Sequence, residues 1–511
     1  MVRASGYLFD HQIRYPSWEA TNEKLQLWLE DFNIGGVILL GGSAGELSLR
    51  TQQLQNWSKI PLFIAADIEE GVGQRFSGAT WFPPPMALGE IFQRQPHLAL
   101  DFARQMGAIT AQEAQTIGIN WILAPVVDVN NNPDNPVINV RAFGESASVV
   151  SQLTTAFIEG VKPYPVLTTA KHFPGHGDTT TDSHLQLPRL SHPDSRLQEL
   201  ELLPFESAIS ASVDSIMTAH LLIQAWDPRY PATLSQAIVT GKLRQNLGFQ
   251  GLIVSDALIM GGVTQFAPAA EIAVLAVEAG VDILLMPANP ELAIEAIYQA
   301  VVSGRLTPER IQASLQRIWQ AKQKLSLRVR NSLFSQFTKS QAQKIANLVV
   351  REAMVTGGSL PLDTNNCGQC RNLIYVDEIL KADFLGHHTP AVAYPQSLGY
   401  FLELVDANSF LEIDTNTPLL LQIFSRGNPF RGSANLTLKS QNWIKRLLIT
   451  AQVQGVAIYG SLYVAQWIEQ QIATDIPWVF SYGQMPMAQA VVCKTLFGVS
   501  QESNLSKETF L

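Results

Sequence analysis

The densest concentration of reactive side chains in the sequence is KHFPGHGDTTTDSHLQLP, residues 171–188, which holds three of the nine histidines and two aspartates, with His192 close behind. Pro174, Gly175 and Gly177 exclude a helix, so this segment reads as a loop following a strand. Three chemistries compete for it. His172 and His176 have an HxxxH spacing that could ligate a metal, but that spacing needs a helix to bring both rings to one face, and no HExxH is present. The same residues could be turn-stabilising polar groups. The third reading is an acid/base loop: Asp182 and His184 lie two apart, and an Asp that orients and charges a His makes a general acid/base near neutral pH.

Three further segments carry candidates. In LIVSDALIMGG (252–262), Asp256 follows an apolar run and a serine. A carboxylate there could attack an anomeric carbon, or it could be a helix N-cap. In AADIEEGVGQRF (65–76), Asp67 ends an apolar run and could accept hydrogen bonds from vicinal sugar hydroxyls. Arg75 lies beyond a glycine-containing turn and could instead pair with Glu69 or Glu70. In APVVDVNNNPDNPVINVRAFGE (124–145), Asn and Pro predict a long stiff loop. Arg141 at its end could contact a substrate, and Asp128 could support the loop. CGQC (367–370) is one CxxC without a second pair, which does not make a zinc site; it reads as a loop with two free thiols.

The elements that must position these groups are short apolar runs alternating with helix-like segments. The runs are 35–40, 61–67, 121–129, 166–173, 215–222, 251–257 and 281–287, with a weak first strand near 5–10. They show little period-2 alternation, as expected of strands buried on both faces of a parallel sheet. Helices are expected within 19–32, 98–118 and 269–280. About eight β/α units over about 325 residues predict an α/β fold built as a (β/α)8 barrel with insertions. A doubly wound open sheet is the alternative. Asp67, Asp128, Lys171, His172, His220 and Asp256 all fall at C-terminal ends of these runs, the rim where such folds build their sites. The polar stretch 326–345 reads as a linker between a domain over 1–325 and a smaller C-terminal α/β domain over 346–511, whose strands are expected at 373–380, 418–425, 455–461 and 476–483.

Composition narrows the function. Of 511 residues, 46% are apolar and only 15% charged, with 35 basic against 44 acidic side chains. The net charge of −9 gives no basic footprint for nucleic acid and no polybasic segment for anionic membranes. No apolar run is long enough to span a bilayer, because the best one, 273–287, is broken by Glu278 and Asp282. The N-terminus lacks the apolar core of a signal peptide, and the first 366 residues contain no cysteine. A cytoplasmic protein is expected.

KHFPGHGDT…DSH, the strand ending in SDAL, the D-x-E…QRF segment, APVxDVNxNPxNPVI…R-FGE and MTAHLLIQAWDPRYPATLS (217–235) together resemble glycoside hydrolase family 3, and within it the bacterial β-N-acetylglucosaminidase branch. The resemblance covers about residues 20–320. It implies Asp256 as nucleophile, His184 as acid/base with Asp182 as its dyad partner, and Asp67, Arg75, Arg141, Lys171 and His172 as substrate-binding residues, with no cofactor or metal. The implied activity is retaining exo-hydrolysis of terminal β-linked N-acetylglucosamine from a carbohydrate partner, on the family analogy peptidoglycan-derived muropeptides. Oligomeric state is left open. Alternatives are a β-glucosidase or β-xylosidase of the family, a phosphorylase in which a His acid/base tolerates an incoming phosphate dianion, and a degenerate sugar-binding protein. Two departures stand out. Glu70 replaces a usual glycine in a segment where Val72 and Gly73 also differ, and Asn139 stands where a glycine is usual.

Overall fold

The computed structural model describes residues 1–331, 337–363, 370–427 and 434–499, with side chains 326–331 excepted. In its first part, strands β1 (Val2–Ser5), β2 (Gly36–Leu40), β3 (Phe63–Ala66) and β4 (Trp121–Ile122) form a parallel sheet in that order. Of the next five strands, β5 (Thr169–Phe173), β7 (Ser215–Thr218) and β9 (Leu252–Ser255) form a second parallel sheet. Between them in the chain, β6 (Arg189–Leu190) and β8 (Leu222–Ile223) make a short parallel pair. Isolated parallel bridges link the two sheets at Trp121–Leu167 and Val126–Lys171, and link β9 to the next segment at Val254–Ile283. The Met1 ammonium donates to Leu284 O at 2.8 Å, and Met286 N donates to Met1 O at 2.9 Å.

The absence of alternation in these strands has a plain cause. One set of side chains, including Phe63, Trp121, Leu167, Met217, Val254 and Leu285, packs into one cluster. The neighbours that point the other way, such as Val37, Leu39, Ile64 and Ala66, pack into a different one. Both faces are buried, so both must be apolar. The Trp121 indole N–H inside the first cluster is satisfied by Thr169 Oγ1 at 2.7 Å.

Helices Asn22–Glu30, Pro96–Thr116 and Ala269–Ala279 fall where the sequence predicts them. Thr21 caps the first, proline opens the second, and Gly280 at φ +121° ends the third. Three strands differ from expectation. The first lies at 2–5 rather than 5–10, regular pairing in 121–129 stops at Ile122, and 281–287 makes one bridge rather than a strand. The polar stretch around 326–345 overlaps helices Pro308–Asn331 and Lys339–Glu352, the second opened by a Thr338–Gln341 capping box.

The second part is one six-stranded sheet of β10 (Val355–Gly357), β11 (Cys370–Val376), β12 (Tyr400–Val405), β13 (Leu419–Ser425), β14 (Val453–Gly460) and β15 (Trp478–Ser481). Its order is β10-β15-β14-β13-β11-β12, parallel except for β10. Four of the six strands match the expected runs. β10 and β12 were not anticipated, being short or only half-buried edge strands. Cys370 corrects the free-thiol reading: it is buried at the head of β11 and disulfide-bonded. The spacing in CGQC does not distinguish a loop from a strand start, and Cys367 lies outside the described residues.

Candidate active site

The C-terminal ends of the parallel strands supply the groups. Asp67 follows β3, Lys171 and His172 lie on β5, His220 follows β7 and Asp256 follows β9. Parallel alignment brings these ends to one side of the sheets.

Asp256 is held by its own turn: its Oδ1 accepts from Ala257 N at 2.7 Å, and its N–H donates to Thr218 O at 3.0 Å. Burial works against its charge. His172, His220 and His184, with the Ala257 amide, outweigh burial and bring its pKa down to about 2. With its pKa at about 2 the carboxylate is ionised near neutral pH and available as a nucleophile.

Asp182 and His184 are hydrogen-bonded to each other. One Asp182 oxygen accepts from the His184 backbone N–H and meets His184 Nδ1, both at 2.9 Å. A carboxylate only accepts, so Nδ1 carries the proton toward Asp182, and Nε2 is the ring atom that can exchange a second one. The loop carrying this pair is fastened to the segment after Asp256. Gly261 N donates to His184 O and Gly262 N to Ser183 O, both at 3.0 Å, and Gln265 Nε2 donates to Leu185 O. Glycine is required there: a Cβ on Gly261 would stand 2.6 Å from Leu185 O, and one on Gly262 2.7 Å from Ser183 O. At its other end the loop is anchored by Asp178, which binds His192 Nε2 at 2.9 Å and Arg196 Nη2 at 2.8 Å.

Another part of the site wall is an ionic network. Lys171 Nζ lies 2.7 Å from Asp67 Oδ1 and 2.6 Å from Glu69 Oε1. Arg141 grips Glu69 with Nε and Nη2 at 2.8 Å each. Burial opposes all three charges, but pairing prevails. Arg141 and Lys171 hold the Glu69 carboxyl far below its ordinary range, and Asp67 and Glu69 push the Lys171 ammonium up. Asp67 is the half-exposed member, which leaves it accessible to sugar hydroxyls. Arg75 is exposed and donates from Nε to the Asp67 carbonyl at 3.0 Å. It therefore braces this loop, while Glu69 is engaged by Arg141 and Glu70 by Arg426.

Asp128 organises the floor. It is fully buried and accepts from His172 Nδ1 and from His176 N, each at 2.7 Å. His176 has both ring nitrogens in hydrogen bonds, to Ser183 Oγ and Thr179 Oγ1. That leaves the HxxxH pair without a second ligand. Among the described residues, no group of three or more His, Cys, Asp or Glu side chains could hold a metal ion.

All eight sequence-predicted residues lie at the C-terminal ends of parallel strands or on the loops that follow them. Glu69, His176 and His220 were missed as organising residues. Glu69 was visible in the D-x-E pattern. His220, whose ring bonds Thr233 Oγ1 and Ala257 O, was visible only as one more polar strand end. Residues 9–321 match the model of the glycosyl hydrolase family 3 N-terminal domain, and residues 363–498 that of the bacterial family 3 C-terminal domain.

The chain belongs to glycoside hydrolase family 3. It is 35% identical over 370 residues to β-hexosaminidase A of Pseudoalteromonas piscicida, a match spanning 65% of this chain and 61%, less than two-thirds, of that protein. It is 35% identical over 270 residues to the β-hexosaminidase of Alkalilimnicola ehrlichii, covering 52% of this chain and 77% of that one. A family 3 β-N-acetylglucosaminidase from Paenibacillus sp. str. FPU-7 superposes with a TM-score of 0.78 at 27% identity, covering 97% of this chain and 95% of that one. Within the family pattern, Asn139 takes φ +44°, a left-handed conformation that Asn tolerates better than most residues and that glycine adopts without strain.

Proposed function

We propose that the protein is a retaining exo-β-N-acetylglucosaminidase acting on terminal β-linked N-acetylglucosamine. The observation that carries this reading is the Asp182–His184 dyad fastened by backbone hydrogen bonds to the segment that follows Asp256. The names of the related β-hexosaminidases and of the Paenibacillus enzyme support the sugar. In the first step Asp256 forms an ester bond to the anomeric carbon, and the departing oxygen takes the proton from His184 Nε2. In the second, water attacks the same carbon from the face just vacated and gives its proton to Nε2, regenerating both groups. Asp182 stabilises the imidazolium and fixes its tautomer. Asp67, Lys171, Arg141 and His172, with Arg75 at the loop edge, bind the sugar.

The same proposal assigns a (β/α)8 barrel to residues 1–325, supported by the bridges and hydrogen bonds that join eight successive segments and return to Met1. It places the linker at 326–345 and the second domain at 346–511, in keeping with the two family matches. The natural substrate would be a muropeptide fragment met in the cytoplasm. No helix among the described residues is long and apolar enough to cross a membrane.

A panel of nitrophenyl glycosides, with and without phosphate, tests the reading. Hydrolysis of the N-acetylglucosaminide well above the glucoside and xyloside, unaffected by phosphate, is expected. Preference for the glucoside, or phosphate-stimulated release of a sugar phosphate, would replace it with one of the family alternatives. No turnover of any glycoside would leave a sugar-binding protein.

A further inference from the structure

Both departures from the family pattern face the second domain. Glu70, almost fully buried, accepts from Trp81 Nε1 at 2.9 Å with one oxygen and from Arg426 Nη2 at 2.8 Å with the other. Arg426 lies just past β13, and its backbone N–H is held by Asp377 Oδ2 at 3.0 Å. The next residue, Gly427, packs on the second departure: a Cβ there would sit 2.9 Å from Asn139 Cβ. A separate contact comes from Tyr463, in helix Leu462–Glu469. Its hydroxyl accepts from Asn130 Nδ2 at 2.8 Å and donates to Glu145 Oε1. These contacts land one residue from Glu69, two from Asp128 and two from Arg141.

We propose that Arg426 and Tyr463 are positioning residues for the sugar site, clamping the 67–76 and 128–145 loops so that Asp67, Glu69, Lys171 and Arg141 keep one geometry. The proposal rests on the sugar-site reading above. A buried carboxylate stays in place only while its charge is met. Without the guanidinium, Glu70 must turn toward water and drag the adjacent Glu69 with it. Asp256 is held by Ala257 N and Thr218 O, and the His184 loop by Gly261 and Gly262, so the clamp governs sugar binding more than bond cleavage. A family member with glycine at position 70 has no carboxylate there for an arginine to meet.

The test compares KM, kcat and Tm of Arg426→Gln, Arg426→Lys, Glu70→Gln, the Glu70→Gln/Arg426→Gln pair and Tyr463→Phe on nitrophenyl N-acetylglucosaminide, with Lys171→Met as reference. Arg426→Gln is expected to raise KM about 10-fold with kcat within about 3-fold. The paired variant should be no worse than Arg426→Gln alone, Arg426→Lys should recover part of the loss, and Tyr463→Phe should raise KM by about 3-fold. Should Arg426→Gln fail to fold, Arg426→Lys and Tyr463→Phe decide. The clamp is overturned if KM stays within about 2-fold while only Tm falls. If Lys171→Met raises KM and the clamp variants do not, the clamp alone is wrong. If Lys171→Met also leaves KM unchanged, the sugar wall is misassigned and the clamp falls with it.

Discussion

The backbone N–H of Gly261 donates to the carbonyl oxygen of His184 at 3.0 Å, so the chain leaving β9 and Asp256 directly holds the loop that carries His184. The segment after Asp256 and the Asp182–His184 loop are thereby tied together by main chain, whose position does not depend on a rotamer.

Gly261→Ala should break that tie, because the added Cβ would meet Leu185 O at 2.6 Å. Displacing the loop by a fraction of an ångström should lower kcat by about 10- to 100-fold on glycosides with poor leaving groups and less on nitrophenyl ones. Rates on a disaccharide and on a nitrophenyl glycoside, compared within the same variant, measure it. An equal loss on both would place the defect elsewhere.

Asp256→Asn should abolish turnover of every glycoside, since an amide forms no glycosyl ester. Because burial of Asp256 is outweighed by the pull of His172, His220 and His184 and its pKa lies at about 2, this carboxylate stays ionised through the whole working range. The acid limb of kcat/KM above pH 4 then belongs to another group. Asp256→Ala with azide should yield the α-glycosyl azide, detected by NMR; a β product would contradict attack by this carboxylate.

His184→Ala should lose the roughly 10²–10⁴-fold that general acid catalysis supplies to poor leaving groups. A nitrophenolate departs almost unaided, so with that substrate the glycosyl ester on Asp256 should accumulate and appear by intact mass. Asp182→Asn should give a milder form of both effects, because the imidazole remains without its carboxylate. Absence of any trapped ester in His184→Ala would remove His184 from the acid/base role.

Glu69→Gln should be among the most damaging changes outside the catalytic pair. Neutralising it leaves the buried Arg141 without this carboxylate and the buried Lys171 with Asp67 in its place. Removing one partner of a buried network costs about 3–5 kcal/mol. Urea midpoints and KM should both shift, and a variant with a wild-type midpoint would show that solvent reaches this wall.

Burial lowers the His176 pKa from 6.5 to about 4, despite the attraction of Asp128. The unfolded chain therefore binds a proton at higher pH than the folded one. Stability from this group is fully present above pH 6.5 and falls by ~3 kcal/mol as pH drops through 6.5 to 4. His176→Gln should flatten that part of the curve. Denaturant titrations at pH 7 and pH 4.5 test it, and an unchanged slope would mean that other groups dominate.

What could be read from the sequence was chemistry encoded over short distances. Asp182 and His184 are two residues apart, and Asp256 directly follows its strand, so residue type and local backbone nearly determine what each can do. The double burial of the strands was legible for the same reason, since both faces of each run are apolar. The contacts that turn these groups into a site are of another kind. Lys171 meets Asp67 across 104 positions, Arg141 meets Glu69 across 72, and Arg426 meets Glu70 across 356. Nothing local marks Glu70 as the seat of an interdomain ion pair or Arg75 as a brace for a carbonyl. Even Gly261 and Gly262 read as an ordinary turn until the dyad loop is laid against them. Such pairings are set by which strand ends and loops the packed core brings together, and only the tertiary structure decides that.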